Sequence, residues 1–167
     1  MKIPKIVHTY WGLKADIPER YRKREEMWRE WGWADAEFKV WTPEKVEEDQ
    51  LVRAALPPPP VGESSVDYDP AVRIAISALS VYGGIFVGIG VVPLTDIQFI
   101  LEQPFGIFMV DRVGMVGCVP NHPLLWKMLE PFSKDEKTAV DSLVTIYPER
   151  MMFRTPESRY PPLMMEV

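Results

Sequence analysis

Residues 81–94 read VYGGIFVGIGVVPL and form the most apolar part of the chain. Gly83 and Gly84 indicate a tight turn, because paired glycines interrupt regular structure. Residues 84–87 are short, apolar and rich in β-branched or aromatic side chains, which predicts a strand. Four glycines and Pro93 interrupt this region, and it is too short to span a bilayer.

The segment that leads into these glycines, residues 70–82, predicts a buried helix. It is apolar nearly all round, and its polar residues are Arg73, Ser77 and Ser80, apart from the terminal Tyr82. A helix without a polar face is normally covered on all sides.

Further strands and helices are predicted on both sides of this unit. Pro18 suits the first turn of a helix through about Trp31, and Thr42 suits an N-cap, with Pro43 at the first helical position, of a helix through about Ala55. Strand signals alternate with these helices, which favours a mostly parallel sheet covered on both faces. The predicted strands cover residues 5–10, 37–41, 84–87, 105–110 and 113–119.

Composition favours one cytoplasmic domain spanning residues 1–167. The chain has 167 residues, 47% of them hydrophobic, which suffices for one core. A net charge of -5 argues against a nucleic-acid binder. Signal-peptide and membrane-spanning patterns are absent from the sequence, and a lone cysteine, Cys118, favours a reducing compartment and core packing.

Two other features are interpreted as structural. The basic cluster Arg20, Arg22, Lys23 and Arg24 is followed at once by two glutamates, so it is interpreted as a solvated helix face. Residues 56–66 contain four consecutive prolines, which favour a stiff loop inside the domain over a docking site for a proline-recognising partner.

Several motifs resemble the glycosyltransferases of the DXD sugar-binding group, which includes the yeast initiating mannosyltransferase and the catalytic domains of large clostridial toxins. Residues 3–12 resemble the family's opening strand, residues 38–42 its second strand, and residues 121–125 its Gly-His-Pro-Phe segment. Tyr82-Gly83-Gly84 resembles the helix exit before the metal-binding Asp-X-Asp, and Pro93-Leu94 the turn after it. The resemblance implies an α/β, GT-A-like (Rossmann-like) fold, mostly parallel, flanked by helices and C-terminally shortened.

The same alignment shows where polar residues are missing. The Asp-X-Asp positions hold Gly88 and Gly90, and other positions that are polar in the family hold Val72, Ala75 and Val113. A carboxylate pair holds Mg²⁺ or Mn²⁺ against a nucleotide diphosphate, and glycine offers no such ligand. If the helix is aligned with the family one or two residues differently, Asp69 or Arg73 takes one of these polar positions instead.

The resemblance also implies candidate binding residues. Trp11, with His8 and Trp41, is the candidate nucleotide site. Asp111, Arg73 and Arg112 are candidates to replace the lost groups, and a metal cofactor is expected only if a carboxylate such as Asp111 binds it. Asp96 is interpreted as part of a helix's first turn. For His8 and His122, structural hydrogen bonding is favoured over a two-histidine metal site.

These observations predict a degenerate glycosyltransferase that serves as a binding or structural module. The alternative is an active, metal-independent glycosyltransferase that transfers a sugar from a nucleotide sugar. Six tryptophans and nine methionines in a short chain also predict an exposed apolar surface. Self-association or docking on a larger protein assembly is therefore expected.

Overall fold

The computed structural model describes residues 2–13, 16–57, 70–89, 91–93, 106–110, 115–125 and 164–166. Within this part of the chain the helices are α1 (Glu19–Met27), α2 (Pro43–Glu48), α3 (Gln50–Ala54) and α4 (Pro70–Tyr82). The strands are β1 (Ile6–Tyr10), β2 (Glu37–Trp41), β3 (Gly84–Phe86), β4 (Val91–Pro93), β5 (Ile107–Val110), β6 (Met115–Cys118) and β7 (Met164–Glu166).

The main sheet has the strand order β2-β1-β3-β6-β5. Strand β1 is parallel to both β2 and β3, with Tyr10 beside Trp41 and Val7 beside Ile85. Strand β6 is antiparallel to β3 and β5, so four of the five strands run in one direction. The prediction of a mostly parallel sheet is confirmed.

Apolar side chains cover both faces of this sheet. On one face, Val7 and Ile85 pack with Trp28 and Trp33, which follow α1. On the other face, Phe86 and Cys118 pack in a cluster with Leu79 of α4 and its apolar neighbours. The prediction that α4 is a buried helix is confirmed, because Ile74 and every residue from Ile76 to Ser80 are buried.

The first two predicted helices are present but differ in their course. Helix α1 passes into a π-helical turn, Trp28–Gly32, in which the Trp33 N–H bonds the Trp28 carbonyl at 2.7 Å. Thr42 caps α2 as predicted, since its hydroxyl accepts the Lys45 N–H. The predicted single helix to Ala55 is wrong, because Asp49 leaves the helical conformation and caps a new helix, α3, by accepting two backbone N–H groups.

Two short strands were not predicted. Strand β4 pairs antiparallel with β7 in a separate two-stranded sheet. The interpretation of Pro93 as a turn residue is therefore wrong, because Pro93 ends a strand, a position that proline tolerates at a sheet edge. Three-residue strands carry too little periodicity to be recognised.

The single domain over residues 1–167, the stiff loop at residues 56–66 and the cytoplasmic location stay predictions. Residues 58–66 of the proline-rich loop lie outside the described residues, while Leu56 and Pro57 lie within them. None of the described helices is long and apolar enough to cross a membrane.

Candidate functional site at the carboxyl edge of the sheet

The carboxyl ends of β1, β2 and β3 meet at one edge of the sheet, because these three strands are parallel neighbours. The Trp11 N–H donates to the Trp41 carbonyl at 2.8 Å, and the Val87 N–H donates to the His8 carbonyl at 2.9 Å. In open α/β sheets, ligands bind in the crevice outside this edge. Three of the predicted site positions lie at this edge, since Trp41 ends β2 and Trp11 and Gly88 follow β1 and β3.

Gly88 is exposed and begins the turn after β3. The Val91 N–H closes this turn on the Gly88 carbonyl at 3.0 Å. The backbone of Gly88 is not left-handed, and a Cβ placed there would lie 3.3 Å from Val91 Cγ2. A larger residue therefore fits with a small adjustment, and backbone conformation does not explain why glycine stands here. Gly90 lies outside the described residues.

Two side chains from the first helical segment hold this turn from inside the protein. Arg24 Nη1 donates to the Ile89 carbonyl at 3.0 Å, and the Trp28 indole N–H donates to the Val91 carbonyl at 3.0 Å. Both residues are buried, and Trp28 is fully so. The turn is thus fixed in place by side-chain bonds to two of its carbonyl groups.

The interpretation of the basic cluster as a solvated face is wrong for Arg24, which is buried, whereas Arg22 and Lys23 are exposed. Arg24 is 5% exposed, and burial lowers its pKa to about 10, so it remains charged at neutral pH. Its Nε has no hydrogen-bond partner, and none of the ion pairs among the described residues includes it. The sequence held a usable signal: Arg24 lies three residues after Tyr21 and four before Trp28, on the apolar side of the helix.

His8 lies in β1 and is fully buried. The indole N–H of Trp41 donates to His8 Nδ1 at 3.1 Å, and an indole can only donate. The imidazole proton therefore resides on Nε2, which donates to the Gly83 carbonyl at 2.8 Å. Burial lowers the pKa of His8 to about 4, so the ring is neutral. The predicted structural hydrogen bonding of His8 is confirmed, and contact of His8 or Trp41 with a nucleotide stays a prediction.

The Gly83 carbonyl that His8 binds belongs to a junction that requires glycine. Gly83 and Gly84 have φ angles of +65° and +100°. A Cβ on Gly84 would lie 2.5 Å from the Ile6 carbonyl oxygen, and one on Gly83 would lie 2.6 Å from Pro120 Cδ. The two glycines let α4 end directly against β1, which aligns β3 with the candidate site.

Tyr82 anchors the same junction from the helix side. Its hydroxyl donates to Asp49 Oδ2 at 2.6 Å, and this hydrogen bond is the main reason that the pKa of Tyr82 rises to about 12. The Tyr82 ring stacks near the rings of His8 and Trp41, and Lys39 Nζ lies 4.5 Å from its centroid. Sequence analysis missed this cluster, because Asp49 and Tyr82 are far apart in the chain and no single motif contains both.

Trp11 follows β1 and is partly exposed. Its ring centroid lies 5.9 Å from that of Tyr21 with the planes inclined by 52°, and the nearby Leu13 is 63% exposed. An aromatic face at this edge suits stacking on a base. That role stays a prediction.

The other candidate residues are placed less completely. Arg73, in the first part of α4, donates from Nη2 to the Pro57 carbonyl at 2.8 Å, and its Nε is buried without a partner. Val72 and Ala75 pack against the core cluster beside α4. Asp111, Arg112 and Val113 lie outside the described residues, as does Asp96. Among the residues that are described, no group of three or more His, Cys, Asp or Glu side chains is arranged to hold a metal ion.

Comparison with known proteins bears on the fold. No protein-family model matches the chain, and no curated protein matches its sequence. The structure is similar to a solved structure described as the PaToxG glycosyltransferase, with a TM-score of 0.51 and 12% identity over 88% of this chain and 70% of that one. The chain has a mixed α/β, glycosyltransferase-like fold of the GT-A type.

Proposed function

We propose that the protein is a degenerate relative of nucleotide-sugar glycosyltransferases that serves as a binding or structural module without metal-dependent transfer. The observation that carries this proposal is Gly88, which is exposed after β3 at the carboxyl edge of the sheet. The side chain at this position is absent although the backbone accepts one. In the resemblance to DXD glycosyltransferases this position carries a metal-binding carboxylate, so an exposed glycine here supports the loss of metal binding.

The expected consequence for catalysis follows from the charge on the leaving group. A divalent cation stabilises a nucleoside diphosphate as it departs, an effect of several kcal/mol. Each 1.4 kcal/mol, roughly, changes a rate tenfold, so loss of the cation removes orders of magnitude in rate. Val72 and Ala75, which pack against the core, add no polar group that compensates.

The alternative function is metal-independent transfer of a sugar from a nucleotide sugar. It is favoured by two arginines, Arg24 and Arg73, whose Nε atoms are buried and unbonded. Each donates a hydrogen bond to a backbone carbonyl and forms no ion pair with another described residue. Cationic side chains can stabilise a developing diphosphate charge without a metal.

Calorimetric titration with UDP- and GDP-sugars, with Mn²⁺ and with a chelator, separates these functions. We expect binding that Mn²⁺ does not strengthen and that Trp11→Ala weakens, with Leu13→Ala as the control at a neighbouring exposed position. Turnover of a nucleotide sugar in the presence of chelator would establish the alternative instead. Turnover that requires Mn²⁺ would overturn both proposals.

The module role also implies a protein partner, for which we propose a second copy of the chain or a larger assembly. Light scattering across a concentration series tests the first case directly. A strict monomer at high concentration, together with sugar-nucleotide turnover, would favour an enzyme over a structural module.

A further inference from the structure

We infer that the turn formed by Gly88 and Ile89 is an anion site in which Arg24 supplies a fixed positive charge to the diphosphate of a nucleotide sugar. This inference rests on the proposed function for the identity of the ligand. The charge itself is inferred from the described contacts alone, and the two parts are tested separately below.

The first step is that Arg24 carries a charge with incomplete compensation. A buried guanidinium loses its hydration and is normally paired with a carboxylate. The described acidic residue next to it in the chain, Glu25, favours the charged form of Arg24 through space but forms its ion pair with Arg29, at 2.9 Å. Arg24 instead has a backbone carbonyl on Nη1 and no partner on Nε. A carbonyl dipole offsets only part of a full positive charge, so an anion nearby is favoured.

The second step is that this charge is held at the exposed turn. Arg24 contacts the Ile89 carbonyl directly, and Gly88, the preceding residue, is open to solvent. Because Gly88 has no side chain, an anion can approach its backbone closely. Arg24 is 5% exposed, and the lower effective dielectric constant of a buried environment strengthens the interaction of its charge with an anion at the turn.

The third step is that the arrangement is preorganised. The Val91 N–H closes the turn, and the Trp28 indole holds the Val91 carbonyl from the buried side. A site whose dipoles and charges are already oriented loses little free energy to reorganisation when a ligand binds. Arg73 lacks this relation to the turn, since its described hydrogen bond goes to Pro57.

The charge is tested without any ligand by the variant Gly88→Asp. We expect the new carboxyl to titrate, by NMR, at a pKa of about 3 or lower, below its ordinary value of roughly 3.9, because a nearby guanidinium favours the ionised form. In the background of Arg24→Gln the same carboxyl should titrate at or above the ordinary value. Gly88→Asn is the neutral control for folding. A carboxyl at position 88 that titrates normally in the presence of Arg24 would overturn the inference, even if Arg24→Gln fails to fold.

The ligand is tested by calorimetry with pyrophosphate, inorganic phosphate and UDP in the presence of a chelator. We expect pyrophosphate and UDP to bind more tightly than phosphate, Arg24→Gln to weaken both about tenfold or more, and Arg24→Lys to retain part of the affinity. Arg53→Gln, which removes an exposed guanidinium on α3, is the charge-matched control. Pyrophosphate binding without UDP binding would keep the anion site and overturn the nucleotide-sugar function. UDP binding that is unchanged in Arg24→Gln would keep that function and overturn the role of Arg24.

Discussion

The glycines at the start and the middle of residues 81–94 stand in the chain for different physical reasons. Gly83 and Gly84 adopt left-handed backbone angles and leave no room for a Cβ. Gly88 adopts an ordinary backbone conformation and has room for a small side chain at the surface. The first pair is thus required by the fold, whereas the glycine at 88 is not. A residue that the fold does not require is informative about function, and under the proposed function position 88 is where a metal-binding carboxylate has been lost.

The largest effect that tests this comparison is on stability. Gly84→Ala should destabilise the protein by about 3 kcal/mol or more, because its Cβ would overlap the Ile6 carbonyl oxygen and its φ angle is strained for alanine. Gly88→Ala should change stability by less than about 1 kcal/mol. Urea unfolding of both variants measures the difference. Equal losses in the two variants would remove the distinction between the two kinds of glycine.

The junction around Gly83 should also make stability depend on pH through His8. The pKa of His8 is about 4 in the folded protein, against 6.5 for an unperturbed histidine. Between these values the unfolded chain binds more protons, so stability rises with pH through this window. The loss on going from pH 7 to pH 4 should be about 3 kcal/mol from this residue alone. His8→Gln should flatten that part of the profile, and a variant that keeps the full dependence would show that other groups cause it.

A smaller effect is expected where Tyr82 fixes the helix exit. Tyr82→Phe leaves the ring stack in place but removes the 2.6 Å bond to Asp49. We expect a loss of about 1.5 kcal/mol, the lower end of the range for hydrogen bonds to charged groups, because this bond is only partly buried. Thermal unfolding of Tyr82→Phe and of the unmodified protein measures it. Asp49→Asn should be compared alone and together with Tyr82→Phe. If Asp49→Asn alone leaves stability unchanged and Tyr82→Phe destabilises both backgrounds equally, the hydrogen bond is not what stabilises the junction.

The smallest effect is expected on sugar-transfer activity when metal-binding carboxylates are added at the turn, because they should not restore transfer. The double variant Gly88→Asp and Gly90→Asp should still fail to transfer sugar, because Val72, Ala75 and Val113 lack polar side chains. The unmodified protein should bind no Mn²⁺ at Gly88. Nucleotide-sugar turnover by the double variant well above background, or a micromolar Mn²⁺ site that depends on Asp111, would contradict this expectation.

The sequence was sufficient for the parts of the fold that repeat a simple pattern. The five strands of the main sheet and helix α4 have strong apolar or β-branched signals, and the Thr42 cap has a local mechanism. The break at Asp49 was missed because a cap inside an otherwise helical stretch has no strong local signal, and Tyr82, which also bonds the Asp49 carboxylate, is distant in the chain. Strand β4 was missed because its partner β7 lies more than seventy residues away along the chain.

The candidate site was only partly predictable for the same reason. Trp11 and Gly88 were named from the resemblance to DXD glycosyltransferases, and the structure places each directly after a strand that the sequence predicts or one residue beyond it. The burial of Arg24 was not predicted, because its charge was taken to indicate an exposed position. In the helix it lies in one stripe with Tyr21 and Trp28. Helical spacing alone, applied without regard to charge, would have placed it on the inner face.

Cys118 gives the protein an internal reporter of how the core over its central sheet opens. It is the sole cysteine of the chain, it is fully buried, and it pairs with Gly84 across β6 and β3. Burial raises the pKa of its thiol to about 12, so the reactive thiolate is scarce in the native state. Alkylation should therefore proceed only through molecules in which the packing of α4 and its neighbours over Cys118 has separated. Its rate, followed by mass spectrometry with and without nucleotide, would show whether a bound ligand slows that separation.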